Sequence, residues 1–328
     1  MAGAEGLGPE AGQAGPRLPA RTELLSFVVA TTALCGIVAA VMALVGGSFR
    51  EGLGRAVLFT YGMPPAAIAL LLVGRMDRFR ALDRVGLRLS WNRWVAIAWL
   101  LPLATLAAAM AIAALVPSFA LSLDAQAFWD FYRPTVTPDT AEAFEETLRQ
   151  SASSGVHPVL RAVLQGMVGG PLRGLAMGLA QEIAWRGFVL SHVKGTHGWR
   201  TLVVGSAWFL WHVPLVLLGY GPAGSVEAVL PCVALWCLAL SSIQIRLRER
   251  SGGVYAPALF LGTWFGFAPL LPNIARHPSE IWNGALGVLG VLSLAAVALG
   301  LELILGLSQR SKGLDRSSAS RDGRAIEP

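Results

Sequence analysis

Charged residues are scarce in this chain: Asp, Glu, Lys and Arg make up 14% of its 328 residues, against about a quarter in ordinary soluble domains. Hydrophobic residues make up 54%, which excludes an intrinsically disordered chain. The charges are also clustered, and three long segments have none: 24–46, 94–116 and 251–275. Uncharged segments of this length are typical of membrane spans.

Cysteine and lysine are rare as well. The three cysteines, Cys35, Cys232 and Cys237, lie in apolar segments, so they form no disulfide framework and we expect them to be buried as small apolar residues. The sequence has neither a CxxC nor an HExxH motif, and a catalytic zinc usually needs three protein ligands. No metal site and no cofactor is therefore predicted.

Between polar ends, the chain has apolar segments that are long enough to cross a bilayer. We count eight: 24–46, 56–74, 94–116, 158–180, 201–218, 228–245, 254–272 and 284–306. The predicted fold class is all-α, a polytopic membrane protein with about eight transmembrane helices. Its domains are a flexible N-terminal tail (1–23), a transmembrane domain (24–306) and a flexible C-terminal tail (307–328).

The positions of the basic residues predict the orientation of the chain. The net charge of +6 does not indicate nucleic acid as a partner, because the arginines lie at the ends of apolar segments, where they orient a membrane protein. With a cytoplasmic N-terminus, 19 of the 26 basic residues fall on the cytoplasmic side and five on the other. Both termini are therefore predicted to be cytoplasmic. Because 24 of the 26 are Arg, as in GC-rich genomes, we expect a bacterial cytoplasmic (inner) membrane.

Two polar connections are long enough to have structure of their own. The external segment 117–157 has helical composition from Thr140 to Gln150. The segment from Met76 to Arg93 alternates arginines with apolar residues, which fits either a helix on an anionic membrane surface or a solvated basic loop. The sequence leaves these two alternatives open.

Ionisable residues inside membrane spans are costly, so they mark candidate functional sites. Glu182 and Arg186 are four residues apart and can form an ion pair on one helix face, and His212 lies inside the fifth span. On the helix face of Glu182, the four preceding positions at intervals of four are all glycine: Gly166, Gly170, Gly174 and Gly178. Such a glycine stripe allows close approach of another helix.

These residues carry a resemblance to a known family. Gln181-Glu-Ile-Ala-Trp-Arg186 resembles the Glu-Glu-x-x-x-Arg motif of the type II CAAX prenyl endopeptidases, also called CPBP or bacteriocin-processing intramembrane peptidases. The segment Trp208 to His212 resembles their Phe-x-x-x-His motif. Residues 251–266 are similar to the third segment, in which a small-residue turn and a proline precede a His-x-x-x-Asn pair. The similarity covers residues 166–266.

The resemblance implies a role for each matched position. In the family, a Glu and a His activate water to attack a peptide bond near a membrane-anchored C-terminus, and a second His and an Asn stabilise the oxyanion. The implied roles are general base at Gln181, second carboxylate at Glu182, its partner at Arg186, dyad histidine at His212, motif aromatic at Trp208, and oxyanion donors at Gly262 and Gly266.

Three of these positions lack the side chain that the chemistry needs. Gln181 cannot accept a proton as a carboxylate does, and Gly262 and Gly266 have no side-chain donor. Loss of one oxyanion donor costs about 10² to 10³ in rate, and loss of a base costs on the order of 10⁴. Gly262 and Gly266 instead have the spacing of a helix-packing motif. We expect them to pack on the stripe that begins at Gly166 and to narrow the family's cavity.

Three functions follow from these observations. The favoured one is a family member with impaired or absent proteolysis that binds membrane-anchored or lipidated C-terminal segments, or an active peptidase partner, within the lipid bilayer. The alternative is an active intramembrane endopeptidase that uses Glu182 and His212. A small-molecule transporter is a minor alternative, supported only by Gly/Pro interruptions in the second and fourth spans.

Overall fold

A computed structural model describes residues 20–46, 57, 61–74, 78–136, 138 and 140–322. Most of these residues are helical. The helices are α1 (Ala20–Leu44), α2 (Met63–Val73), α3 (Arg78–Val85), α4 (Arg93–Leu115), α5 (Ala125–Tyr132), α6 (Ala141–Ser154), α7 (Pro158–Arg173), α8 (Leu179–Glu182), α9 (Leu190–His192), α10 (His197–Leu217), α11 (Val226–Ser251), α12 (Tyr255–Phe267), α13 (Leu270–Ile274) and α14 (Val288–Asp322).

Five helical segments among the described residues are long and apolar enough to cross a membrane: Arg21–Leu44, Arg93–Leu115, His197–Leu217, Val226–Ser251 and Val288–Leu307. They confirm an all-α, integral membrane protein. Two of the other three predicted spans contain shorter helices, α2 and α12, and the third contains α7 and a π-helical turn. The total of eight spans therefore stays a prediction.

Both long connections contain helices. Helix α6 covers the end of the external segment, and a short antiparallel pair, Ala120–Leu121 with Ala275–Arg276, ties that segment to the chain after α13. On the other side, α3 is a helix rather than a loop, with Val85 buried and Phe79 exposed. Whether α3 lies on a membrane surface stays a prediction.

The first and last described helices extend beyond the predicted limits of the membrane domain, 24 and 306. Helix α1 begins at Ala20, and α14 continues to Asp322, so it extends through most of the segment predicted as a C-terminal tail. The flexibility of that tail, and with it the domain boundaries, stays a prediction.

Local capping fixes where the helices of the functional region begin. Thr196 Oγ1 accepts a hydrogen bond from the Trp199 backbone N–H, 3.3 Å away, and starts α10. Gly252 ends α11 with a φ of 82°, in the left-handed region that favours glycine. The chain can then turn sharply into α12, which packs mainly against α7 and the turn that follows it.

Candidate functional site

The helix that carries the first motif is not a regular α-helix. After α7 it continues as a π-helical turn, Gly174–Gly178, then as the four-residue α8, and then as a second π-helical segment, Ile183–Val189. Gln181 and Glu182 therefore lie on a short α-helical segment between two π-helical ones. Such π-helical segments are frequent at functional sites.

Glu182 and Arg186 form the ion pair that their spacing predicts. Arg186 Nη1 donates to Glu182 Oε1 at 3.2 Å, and both side chains are fully buried. Helix α11 adds two partners: Gln244 Nε2 donates to Glu182 Oε1 at 2.8 Å, and Arg186 Nη2 donates to Ser241 Oγ and to Gln244 Oε1. The Arg186 guanidinium also lies 4.3 Å from the ring centroid of Trp208. The motif residues are thus held in one buried polar cluster.

Sequence reasoning missed Ser241 and Gln244. Their signal is present, because they are polar residues three apart on one face of α11, after the apolar segment 228–240. Nothing in the sequence shows, however, that this face meets Arg186. One oxygen of the cluster, Glu182 Oε2, has no hydrogen-bond partner among the residues described.

His212 lies in a predominantly aromatic environment on α10. Its Nδ1 is 2.9 Å from the Trp208 carbonyl oxygen. Because a carbonyl only accepts, Nδ1 carries the proton when it makes this bond, and Nε2 of the neutral ring is left as the acceptor. Cys237 Sγ is 3.6 Å from Nδ1. The rings within 6 Å of the imidazole centroid belong to Trp208, Trp211, Tyr220 and Trp236.

Three of the motif positions line one cavity of about 260 Å³: Gln181, His212 and Gly262. The other lining residues are mostly apolar. They are Gly62, Arg173, Met177, Gly178, Trp211, Leu215, Tyr220, Leu261 and Phe265. Glu182 does not line this cavity, and no Asp or Glu does among the residues that the structure describes.

The two glycines at the oxyanion positions lie against α7 and the turn after it, at the predicted stripe. A Cβ atom on Gly262 would overlap the Gly170 carbonyl oxygen and the Gly174 nitrogen. A Cβ atom on Gly266 would lie 3.0 Å from Gly166 Cα. The close approach expected of a small-residue motif is therefore present, and position 262 has no room for a donor side chain. The cavity beside it remains open.

Within the part of the chain that the structure describes, no group of three or more His, Cys, Asp or Glu side chains is placed to hold a metal ion. The polar side chains among the described lining residues are the imidazole of His212, the amide of Gln181, the guanidinium of Arg173, the phenol of Tyr220 and the indole of Trp211. These groups donate and accept hydrogen bonds and bind anions.

The fold and the site define a polytopic membrane protein with a buried polar cluster near a cavity between its helices. Residues 163–267 match the family described as type II CAAX prenyl endopeptidase Rce1-like. The match confirms the resemblance and spans from α7 to α12, so it includes every motif position. It covers about a third of the chain, and no curated protein matches.

Proposed function

We propose that this protein uses its Rce1-like cavity to bind membrane-anchored or lipidated C-terminal peptide segments, and that it cleaves them poorly or not at all. The observation that carries the proposal is the composition of the cavity. Gln181 at the base position, His212 and Gly262 at the first oxyanion position all line the cavity. No described lining residue carries a carboxylate.

The catalytic deficit follows from three features of the site. Gln181 is an amide, so it cannot take a proton from water. Glu182 has a carboxylate, but its Oε1 accepts from Arg186 and Gln244. To reach the cavity it would have to leave Arg186 behind as a buried, unpaired charge, which costs about 3–5 kcal/mol. Gly262 has no donor and no space for one.

The features needed for binding are retained. The cavity is enclosed mainly by apolar and aromatic side chains, and a few polar groups point into it, as in pockets that bind small ligands or peptide side chains. Its volume of about 260 Å³ suits one or two side chains of an extended peptide.

We propose further that the protein lies in a bacterial cytoplasmic membrane with both termini in the cytoplasm.

The proposal can be tested by photo-crosslinking of lipidated C-terminal peptides to the purified protein in proteoliposomes. Met177→Trp fills the cavity, because Met177 lines it, whereas Leu175→Trp adds similar bulk to an exposed position of the same π-helical turn that does not line the cavity. We expect crosslinking to wild type and Leu175→Trp and its loss in Met177→Trp. Equal crosslinking in both variants would refute the proposal, and so would robust cleavage by the wild type, which would favour an active endopeptidase.

A further inference from the structure

A second cavity, also of about 260 Å³, lies on the side of the external segment. It is formed where α5 and α6 meet the first half of α7 and the end of α12. Two arginines of α7 line it, Arg161 and Arg173, and these are the two basic residues inside the fourth predicted span. Arg173 also lines the first cavity, so the two cavities are neighbours.

The positive charge of this second cavity is not neutralised by the protein. Of the described residues that line it, none is Asp or Glu. Arg161 Nη1 is buried and has no hydrogen-bond partner within the described segments. A buried guanidinium nitrogen is costly unless it meets an anion or water, so Arg161, with the exposed Arg173 lining the same cavity, suggests an anionic ligand.

The side chain of Arg173 extends along α7 in the direction of Arg161. Its Nη1 lies 3.7 Å from the Cβ position of Gly169 and 3.0 Å from that of Gly266. The side chain therefore runs back along α7, toward the N-terminal end of that helix, as long helical side chains do. It occupies space that glycine leaves at residues 169 and 266. The absence of a side chain at the second oxyanion position thus makes room for a guanidinium group.

The cavity also adjoins an exposed apolar face of α7. Leu164, Val168 and Leu172 of α7 are 52%, 72% and 69% exposed. At 100° per residue they lie on the helix face next to Arg161. On the other side of the cavity, α5 contributes Trp129 and Tyr132, and such rings are enriched at the level of lipid headgroups. Burial raises the pKa of Tyr132, so its phenol is neutral and adds no negative charge.

We propose that Arg161 and Arg173 bind the phosphate group of an anionic phospholipid from the adjacent leaflet. Phosphate has enough oxygens to accept from two guanidinium groups, and arginine binds it with paired hydrogen bonds. None of the described lining residues has a carboxylate that could pair with the cationic amine of a zwitterionic headgroup. The cavity therefore favours an anionic lipid. The acyl chains would lie along the exposed face of Leu164, Val168 and Leu172.

Native mass spectrometry of the purified full-length protein tests this site. The protein is titrated with phosphatidylglycerol or phosphatidylcholine, as wild type, Arg161→Gln and Arg173→Gln. Arg149→Gln is the matched control, because Arg149 is an exposed external arginine that does not line the cavity. Loss of a charge-assisted bond should weaken phosphatidylglycerol binding by at least about tenfold in either cavity variant. The control should bind as wild type does.

Two further measurements decide the outcome if a variant does not fold. Phosphatidylglycerol should raise the melting temperature of the wild type, and phosphatidylcholine should not, because a ligand of the folded state stabilises it. Inorganic phosphate in millimolar excess should not displace the lipid. Equal binding of the two lipids by the wild type, or unchanged binding in both cavity variants, would overturn the site. If inorganic phosphate displaced the lipid, the site would bind free phosphate rather than a lipid headgroup, and the proposed lipid ligand would be wrong.

Discussion

At the scale of residues, the carboxylate of Glu182 lies outside the cavity that Gln181 and His212 line. The ion pair between Glu182 and Arg186 follows from their spacing, because residues four apart on a helix face the same way. Their two partners, Ser241 and Gln244, could not be predicted, since the sequence does not show which face of α11 meets the pair. The position of His212 beside the cavity also depends on helix packing.

The buried ion pair predicts a large loss of stability when one partner is removed. Glu182→Ala leaves Arg186 charged and fully buried, so we expect a loss of about 3–5 kcal/mol in the free energy of unfolding. The double substitution Glu182→Ala with Arg186→Ala should cost less than the sum of the two single ones. Denaturant unfolding in detergent, followed by tryptophan fluorescence, measures these differences.

An exposed ion pair provides the control for this prediction. Glu146 pairs with Arg149 at 3.1 Å, and both side chains are at least half exposed. Glu146→Ala should therefore change the free energy of unfolding by less than about 1 kcal/mol. If Glu182→Ala were as mild as Glu146→Ala, the polar cluster would not be the buried network described here.

At the scale of elements, the site depends on the contact between α12 and the glycine stripe of α7 and the turn after it. The four glycines at intervals of four predicted that another helix approaches closely, and Gly262 and Gly266 supplied the matching motif. The two π-helical segments around α8 could not be predicted, because a π-helical turn is a rare local change from i→i+4 to i→i+5 hydrogen bonding inside an otherwise α-helical segment.

This contact predicts that a single methyl group at Gly262 disturbs the packing. In Gly262→Ala the new Cβ would meet backbone atoms of Gly170 and Gly174, which cannot rotate away. We expect a loss of about 1–3 kcal/mol from overpacking, measured as a lower melting temperature in detergent. A histidine side chain at this position would meet the same backbone atoms.

Gly36 is the matched control, because it lies inside the membrane helix α1 and a Cβ there has no described atom within 4 Å. Gly36→Ala should leave the melting temperature unchanged or raise it, since alanine is the better helix former by about 1 kcal/mol. A Gly262→Ala variant as stable as Gly36→Ala would show that α12 does not pack this closely on α7.

At the scale of the whole molecule, length and apolar composition were enough to predict an all-α membrane protein, and five helices confirm it. Composition could not show that the apolar segments around α7 and α12 form shorter or interrupted helices, because a long apolar run is the same signal in a span and in a buried, broken helix.

The bias of basic residues predicts the orientation of the molecule in the membrane. Ser153 lies near the end of α6 on the predicted external side, and Leu89 lies between α3 and α4 on the predicted cytoplasmic side. In a background without the three native cysteines, Ser153→Cys should react with an impermeant maleimide in intact cells. Leu89→Cys should react only after permeabilisation. The reverse pattern would invert the topology.

The central claim is that the Rce1-like cavity persists while its catalytic groups are lost. Its most direct test is the turnover of membrane-tethered C-terminal peptides by the purified protein in proteoliposomes. We predict that the wild type, Gln181→Glu and His212→Ala all show the same background rate, because Gln181→Glu restores a base but neither oxyanion donor. Robust cleavage by the wild type that His212→Ala abolishes would contradict the account.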